Sequence, residues 1–264
     1  MGDNLAAPQI SEALKSVPWS SWVSVVGRAP EFRQMEILSK RYSPGAFLTL
    51  MVIAGLNDYQ LKGKAEEAYW PPLRSLLEGS PTPGHPADLY RILEPFYRKE
   101  RLPTAKVARL SRFLESPLAE ELWTMSSSDV SKQLRTVWER VANTMGQAPK
   151  KKTVVFSLKT LGIGLLWLGE DGFDFDGIPV PVDSRLERLT PGLSEDEIRS
   201  FWDEVLAELK KTESRLTHIH LDSLLWQYAG EDQPRVFLEQ LGVPFPEKVM
   251  KGFRNLCDST KRQD

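Results

Sequence analysis

The sequence predicts an all-α protein. Apolar residues recur at helical spacing along most of the chain, helix-start signals stand at the head of these stretches, and alternating β-branched runs are nearly absent. Taken in order, Pro30 heads a helix over 31–41, with proline in its first turn. Ser43-Pro44-Gly45 breaks the chain before the strongly apolar 46–56. The stretch 63–78 is acidic and amphipathic, interrupted by Pro71-Pro72, and 79–86 (G-S-P-T-P-G-H-P) is a loop by composition. Residues 88–98 and 105–114 carry spacing near 3.6. Ser128-Asp129 opens a helix to about Met145, and 150–168 forms another after Pro149. Ser194 with Glu197 is a capping box for a helix through about Lys211. Helices over 220–228 and 246–257 complete the set. No internal repeat or low-complexity tract is present, and the evenly short elements do not mark subdomain boundaries.

Composition narrows the function classes. A chain of 264 residues suits one or two domains, and 41% hydrophobic with 27% charged residues is an ordinary globular balance. The net charge of −2 gives no bulk sign of a polyanion partner, although a local basic face is compatible with it. One cysteine, Cys257, excludes a disulfide framework, a four-cysteine zinc site and a four-cysteine iron–sulfur cluster. His85, His218 and His220 are too few and too clustered for most metal enzymes. An early Asp3 without an apolar leader argues against secretion, and no apolar run reaches the length of a membrane span.

The 150–168 helix stands apart. Val154, Val155, Phe156, Leu158, Leu161, Ile163, Leu165, Leu166 and Trp167 leave almost no polar face, which predicts burial on all sides. Lys150, Lys151 and Lys152 sit at its N-terminal end, where the helix dipole disfavours cations. A Gly- and Asp-rich turn follows at 169–177, then I-P-V-P-V-D-S-R-L at 178–186, in which Asp183 stands at an N-cap position.

Helix, hairpin, then Pro-Val-Asp opening a second helix is the layout of a DNA-repair motif. The strings K-T-V-V-F at 152–156, I-P-V-P-V-D-S-R-L-E-R-L-T at 178–190 and H-L-D-S-L-L-W at 220–226 carry a resemblance to the helix-hairpin-helix DNA glycosylases, most closely the archaeal 8-oxoguanine DNA glycosylases. P-E-F-R at 30–33 and Y-Q-L-K-G-K-A-E-E at 59–67 add weaker matches. The segments run in family order from about residue 30 to 228, and the long stretch between lysine and aspartate is itself typical of the archaeal group.

The resemblance implies a helix-hairpin-helix glycosylase fold, two helical subdomains flanking a DNA-binding cleft, in a single unit over 1–264 with the hairpin at about 150–190. It implies a bifunctional glycosylase/AP lyase acting on double- or single-stranded DNA that contains oxidised guanine. It further implies a monomer without cofactor or metal, in the cytoplasm of an archaeal cell. Lys152 matches the catalytic lysine and Asp183 the catalytic aspartate. Phe156 and Trp226 match the aromatic residues that sandwich the flipped base, and Asp222 matches a polar pocket residue. Apart from the resemblance, a backbone carbonyl near Pro181 or the Asp222 carboxylate is a candidate acceptor for the N7–H of the oxidised base. Glu31 stands where the family places a glutamine, and Asp58 where it places a serine. Tyr69 and Trp70 straddle the place of a family tryptophan.

The chemistry agrees with these roles. A lysine amine that attacks the anomeric carbon must be neutral, and burial, the helix N-terminus and two cationic neighbours would all lower its pKa. A nearby carboxylate receives a proton or stabilises an oxocarbenium-like sugar. Lys152 and Phe156 are four apart, as are Asp222 and Trp226, so each pair shares a helix face.

Other signals are weaker. Gly172 to Asp183 fits a calcium loop only in part, through Asp174, Asp176 and Gly177, and lacks the first ligand and the final glutamate. Spacing of two keeps His218 and His220 off one helix face. Arg98, Lys99, Arg101, Lys106, Arg109 and Arg112 form a basic cluster that could track phosphates or be a solvated face, with Lys248, Lys251 and Arg254 as a second candidate. A non-catalytic helix-hairpin-helix DNA-binding protein, a glycosylase for another damaged base and a helical interaction module remain open. Covalent trapping on DNA separates the enzyme from the binding proteins.

Overall fold

A computed structural model describes residues 6–170, 173, 175 and 177–261. Asp3, and Gly172, Asp174 and Asp176 of the partial calcium loop, lie outside the described residues. The described residues form seventeen α-helices and no strand. In order these are α1 (Ala6–Leu14), α2 (Trp19–Arg28), α3 (Pro30–Ser39), α4 (Pro44–Asn57), α5 (Ala65–Ala68), α6 (Trp70–Gly79), α7 (Pro86–Tyr97) and α8 (Pro103–Leu114). Then come α9 (Pro117–Thr124), α10 (Ser127–Ser131), α11 (Leu134–Met145), α12 (Lys152–Trp167), α13 (Ser184–Leu189), α14 (Glu195–Lys210), α15 (His218–Tyr228), α16 (Pro234–Gln240) and α17 (Pro246–Thr260).

Local chemistry sets most starts. Ser43, Ser116, Ser126, Asp183, Ser194 and Thr217 are N-caps whose side chains accept backbone N–H groups. The capping box of Ser194 and Glu197 is present as predicted. Pro44, Pro86, Pro103, Pro117, Pro234 and Pro246 fall in first turns, where a missing N–H costs nothing.

Three expectations are corrected. The single helix over 128–145 is two, α10 and α11, broken at Lys132 and Gln133. The 63–78 stretch breaks at Tyr69, and Pro71-Pro72 begin α6 instead of interrupting a helix. Helix α12 starts at Lys152, so Lys150 and Lys151 precede it. Helices α1, α2, α9 and α16 have no counterpart among the elements that the sequence predicts.

The chain divides into two compact units: a central unit, Pro30–Ile178, and a terminal unit that joins Met1–Ala29 to Pro179–Asp264. In the central unit every residue from Gly45 to Asn57 of α4 is buried, and α12 packs along it more extensively than any other helix. The prediction that α12 is buried nearly all round holds from Val154 to Leu165, apart from Phe156. In the terminal unit α1 packs on α14 and α17, and α2 on α15, around Ile10, Leu14, Trp22, Trp202, Leu224 and Phe253.

Candidate active site

In the central unit the site is built around the first two turns of α12. Lys152 is the first helical residue and is exposed, as are Lys150 and Lys151. The burial expected of this lysine from the sequence is therefore not found. The first turn is anchored from behind. Arg109 donates to Thr153 Oγ1 at 2.8 Å and to Gln147 Oε1 at 3.1 Å, and Trp138 Nε1 donates to the Pro149 carbonyl at 2.9 Å. Arg109 of the basic cluster thus holds the lysine-bearing helix in place. Lys106 of the same cluster is fully buried. Its Nζ lies 3.8 Å from Glu100 and over the rings of Tyr59 and Tyr69, and burial lowers its pKa below the ordinary lysine value. The cluster is therefore divided: Arg98, Lys99, Arg101 and Arg112 are exposed, while Lys106 and Arg109 turn inward.

One turn further along α12, Phe156 is partly exposed. Lys159 Nζ stands 5.4 Å from its ring centre and 3.1 Å from Glu31 Oε1. Glu31, in the first turn of α3, and Lys159 are both buried. Asp58 closes the C-terminus of α4, and its Oδ2 accepts a hydrogen bond from Trp70 Nε1 at 3.1 Å. Burial pushes the Asp58 carboxyl up to about 7; the charge of Glu31 adds to this, while Lys152, the Trp70 bond and Lys106 oppose it. Tyr69 and Trp70 are both fully buried and behave differently. Tyr69 donates to the Ala54 carbonyl at 2.7 Å and lies 2.9 Å from the Tyr97 hydroxyl, whereas Trp70 reaches Asp58. The central unit thus gathers Lys152, Phe156, Glu31, Asp58 and Trp70 around the start of α12, and turns the Tyr69 hydroxyl into the core.

The terminal unit carries the other predicted residues. Asp183 is the N-cap of α13, as its sequence position implied: Oδ1 accepts the N–H groups of Arg185 at 2.9 Å and Leu186 at 3.1 Å. Pro181 is buried just before it. Asp222 is buried on α15, and Trp226, one turn later, is partly exposed. The Arg185 guanidinium lies over the Trp226 ring, 3.7 Å from its centre. His218 pairs with Asp203 at 2.7 Å, while His220 Nδ1 accepts from the Thr217 backbone, so the two histidines serve different partners. Among the described residues no cluster of three or more His, Cys, Asp or Glu is arranged to hold a metal ion.

An exposed lysine at a helix start, an aromatic ring one turn on, and one buried and one partly buried carboxylate near them form a layout that can be set against known proteins. The AGOG family, described as N-glycosylase/DNA lyase, matches residues 11–249. The chain belongs to this family. An N-glycosylase/DNA lyase of Methanopyrus kandleri is 26% identical over 208 residues, 76% of this chain and 81% of the relative. One of Thermococcus kodakarensis is 26% identical over 70% of this chain and 68% of its own, and one of Pyrobaculum aerophilum 26% identical over 83% and 84%. The fold is similar to the crystal structure of 8-oxoguanosine-complexed Pa-AGOG, 8-oxoguanine DNA glycosylase from Pyrobaculum aerophilum. That match has a TM-score of 0.73 and 20% identity, and it covers 94% of this chain and 96% of that one. The family resemblance and the all-α glycosylase fold read from the sequence are both borne out. No helix among the described residues is long and apolar enough to cross a membrane.

Within this AGOG-family chain, sequence reasoning passed over Lys159 and Arg185. Lys159 had a signal: a lone lysine inside an otherwise apolar helix implies a buried counter-charge. Arg185 lay inside a matched string, but nothing local pointed it at a tryptophan 41 residues away.

Proposed function

We propose that this chain excises 8-oxoguanine from DNA and then cleaves the strand, with Lys152 as the covalent nucleophile. The observation that carries this is Lys152 itself: an exposed amine at the head of a buried helix, one turn before Phe156 and within electrostatic reach of Asp58. Its amine attacks the anomeric carbon of the damaged nucleotide, and the glycosidic bond breaks with its electrons leaving on the base, which takes up a proton. The sugar ring opens to a lysine Schiff base, and loss of a C2′ proton expels the 3′ phosphate by β-elimination. Asp183 accepts the proton of the attacking amine or stabilises the developing positive sugar.

Phe156 and Trp226 stack the extruded base, and Asp222 and the Pro181 carbonyl are acceptors for the N7–H that marks the oxidised purine. Glu31 accepts from N1–H and the exocyclic amine. Its ion pair with Lys159 supplies the donor that a carboxylate lacks, so the pair offers a purine edge both functions of one amide. Of the two adjacent aromatics, Trp70 fits a pocket role through Asp58, and Tyr69 a structural one. The substrate is oxidised DNA in duplex or single-stranded form, the enzyme acts as a monomer, and the similarity to archaeal relatives supports a cytoplasmic location.

Borohydride trapping tests the reading. The protein should cross-link to an oligonucleotide with a single 8-oxoguanine and release the base. Lys152→Gln should abolish both, while Lys150→Gln and Lys151→Gln should mainly weaken binding. Full trapping by Lys152→Gln would remove Lys152 from the chemistry. A panel of other damaged bases, each in the same sequence, tests the choice of lesion.

A further inference from the structure

The geometry points to Arg185 as a positioning residue that fixes Trp226 as a one-sided stacking platform. The inference rests on the proposal that Trp226 stacks the extruded base. Arg185 is the second residue of α13, and its N–H is held by the Asp183 cap at 2.9 Å. Its side chain crosses to α15, where Nη1 donates to the Trp226 carbonyl at 3.3 Å and the guanidinium carbon lies 3.7 Å from the centre of the Trp226 ring. One contact fixes the backbone of the tryptophan and the other fixes its indole.

Gly230 makes room for this arrangement. A Cβ at that position would lie 2.8 Å from Arg185 Nη1 and 3.0 Å from Cζ. Gly230 is not among the glycines with positive φ, so its backbone does not require glycine. The empty volume is what the arginine uses.

An indole has two faces, and a guanidinium on one leaves a single face for a base. The partly exposed ring is also held against rotation, which lowers the entropy lost when a base stacks on it. Arginine suits this because its planar group stacks while its N–H fork still reaches a carbonyl, which a lysine ammonium does not reproduce. Because the same residue hangs from the Asp183 cap, the loop carrying the proposed catalytic aspartate and the stacking ring are one connected assembly within the terminal unit.

The competing account is a helix cap. Arg188 likewise donates to the last turn of α15, at the Ala229 carbonyl, 3.3 Å. Arg188 therefore serves as the control that caps without stacking.

The experiment compares single-turnover excision and equilibrium binding on 8-oxoguanine duplex and on undamaged duplex, with thermal unfolding of each variant. Trp226→Ala sets the scale. Arg185→Lys keeps the charge but not the plane, and Gly230→Ala displaces the guanidinium without removing it. Both should weaken lesion binding roughly 3- to 30-fold and leave binding to undamaged duplex unchanged. Arg188→Ala should lower the melting temperature and leave lesion binding as it was. In the Trp226→Ala background, Arg185→Lys should have no further effect on lesion binding, a non-additivity that general destabilisation does not produce. Wild-type behaviour of Arg185→Lys and Gly230→Ala beside a damaged Trp226→Ala would overturn the role of Arg185 and keep the stacking reading. Wild-type behaviour of Trp226→Ala would remove the stacking reading and this inference with it. Equal losses on both duplexes for Arg185→Lys would make Arg185 a phosphate contact and overturn the proposal.

Discussion

At the scale of single residues, Asp58 controls how the protein responds to pH. In the folded state burial holds its proton until about pH 7, whereas the ordinary value is 3.8. Below 3.8 the group is neutral in both states and costs nothing. Above 3.8 the unfolded chain ionises first, so stability is progressively lost as pH rises from about 4 through about 7. Asp58→Asn removes this slope and keeps an acceptor for Trp70. Urea unfolding should find the variant equal to the parent near pH 4 and about 1–3 kcal/mol more stable at pH 8. Parallel pH profiles would show that Asp58 is not a buried acid. His220 acts on the other flank. Burial lowers it to about 4, so the stability it confers is complete above 6.5 and disappears as pH falls through 4. The residue scale is also where the sequence was most informative about the proposed site. Asp183 as a cap and the i, i+4 pairs on α12 and α15 follow from local rules, whereas Asp58 was singled out by resemblance alone and its bond to Trp70 is seen only in the structure. The Glu31–Lys159 pair does not, because it joins helices more than a hundred residues apart, and no periodicity encodes which buried charges meet.

At the scale of elements, the position of Lys152 depends on how closely α12 approaches α4. Two glycines permit it. A Cβ on Gly55 would sit 2.3 Å from Thr160 Oγ1 and 2.8 Å from Ser157 Cα, and one on Gly164 would meet Leu48 and Met51 at 3.1 Å. Thr160 Oγ1 also lies 2.8 Å from the Met51 carbonyl, so the contact contains a hydrogen bond that cannot shift freely. Gly55→Ala should cost about 3 kcal/mol and Gly164→Ala about 1 kcal/mol, because the second meets only flexible side-chain ends. Gly79→Ala, with open space around it, should be neutral or slightly stabilising. Thermal unfolding of the three variants checks the order, and a Gly55→Ala protein as stable as the parent would show that the helices can separate at no cost. The sequence revealed α4, α12, α14, α15 and α17 because each is long, strongly patterned or marked by a capping residue. It fused α10 with α11 because Val130 and Leu134 keep a four-residue spacing across the break at Lys132–Gln133, where no Gly or Pro stands. The short helices α9 and α16 offered one or two turns of pattern, too few to separate from a loop.

At the scale of the whole molecule, the terminal unit is assembled from both ends of the chain, whereas the central unit is continuous. Residues before Pro30 are part of a core. Ile10, Leu14, Trp22 and Val25 are buried in one cluster with Trp202, Leu224 and Phe253. The joint has polar pins as well, since Ser21 donates to the Leu241 carbonyl at 2.6 Å and Gln227 to the Val25 carbonyl at 2.7 Å. Composition marks only one of the two boundaries: the Gly- and Pro-containing stretch 169–181 spans Ile178, whereas a single Pro30 stands at the other, and both units are helical. The architecture predicts different behaviour for the two when they are cut apart. A fragment of residues 30–178 holds all of α3 to α12, including the buried α4, and should show helical circular dichroism with one cooperative melt. A fragment of residues 179–264 lacks α1 and α2 and exposes the faces of α14, α15 and α17 that they cover. It should be only partly helical, bind a hydrophobic dye and melt without a sharp transition. Adding a peptide of residues 1–29 should restore helicity and cooperativity in a saturable way, because burying Trp22, Ile10 and Leu14 returns several kcal/mol of apolar contact. The measurement is a titration of the fragment with peptide, followed by circular dichroism and dye release. A 179–264 fragment that melts cooperatively at the same temperature with and without the peptide would show that the N-terminal helices lie on a core already complete.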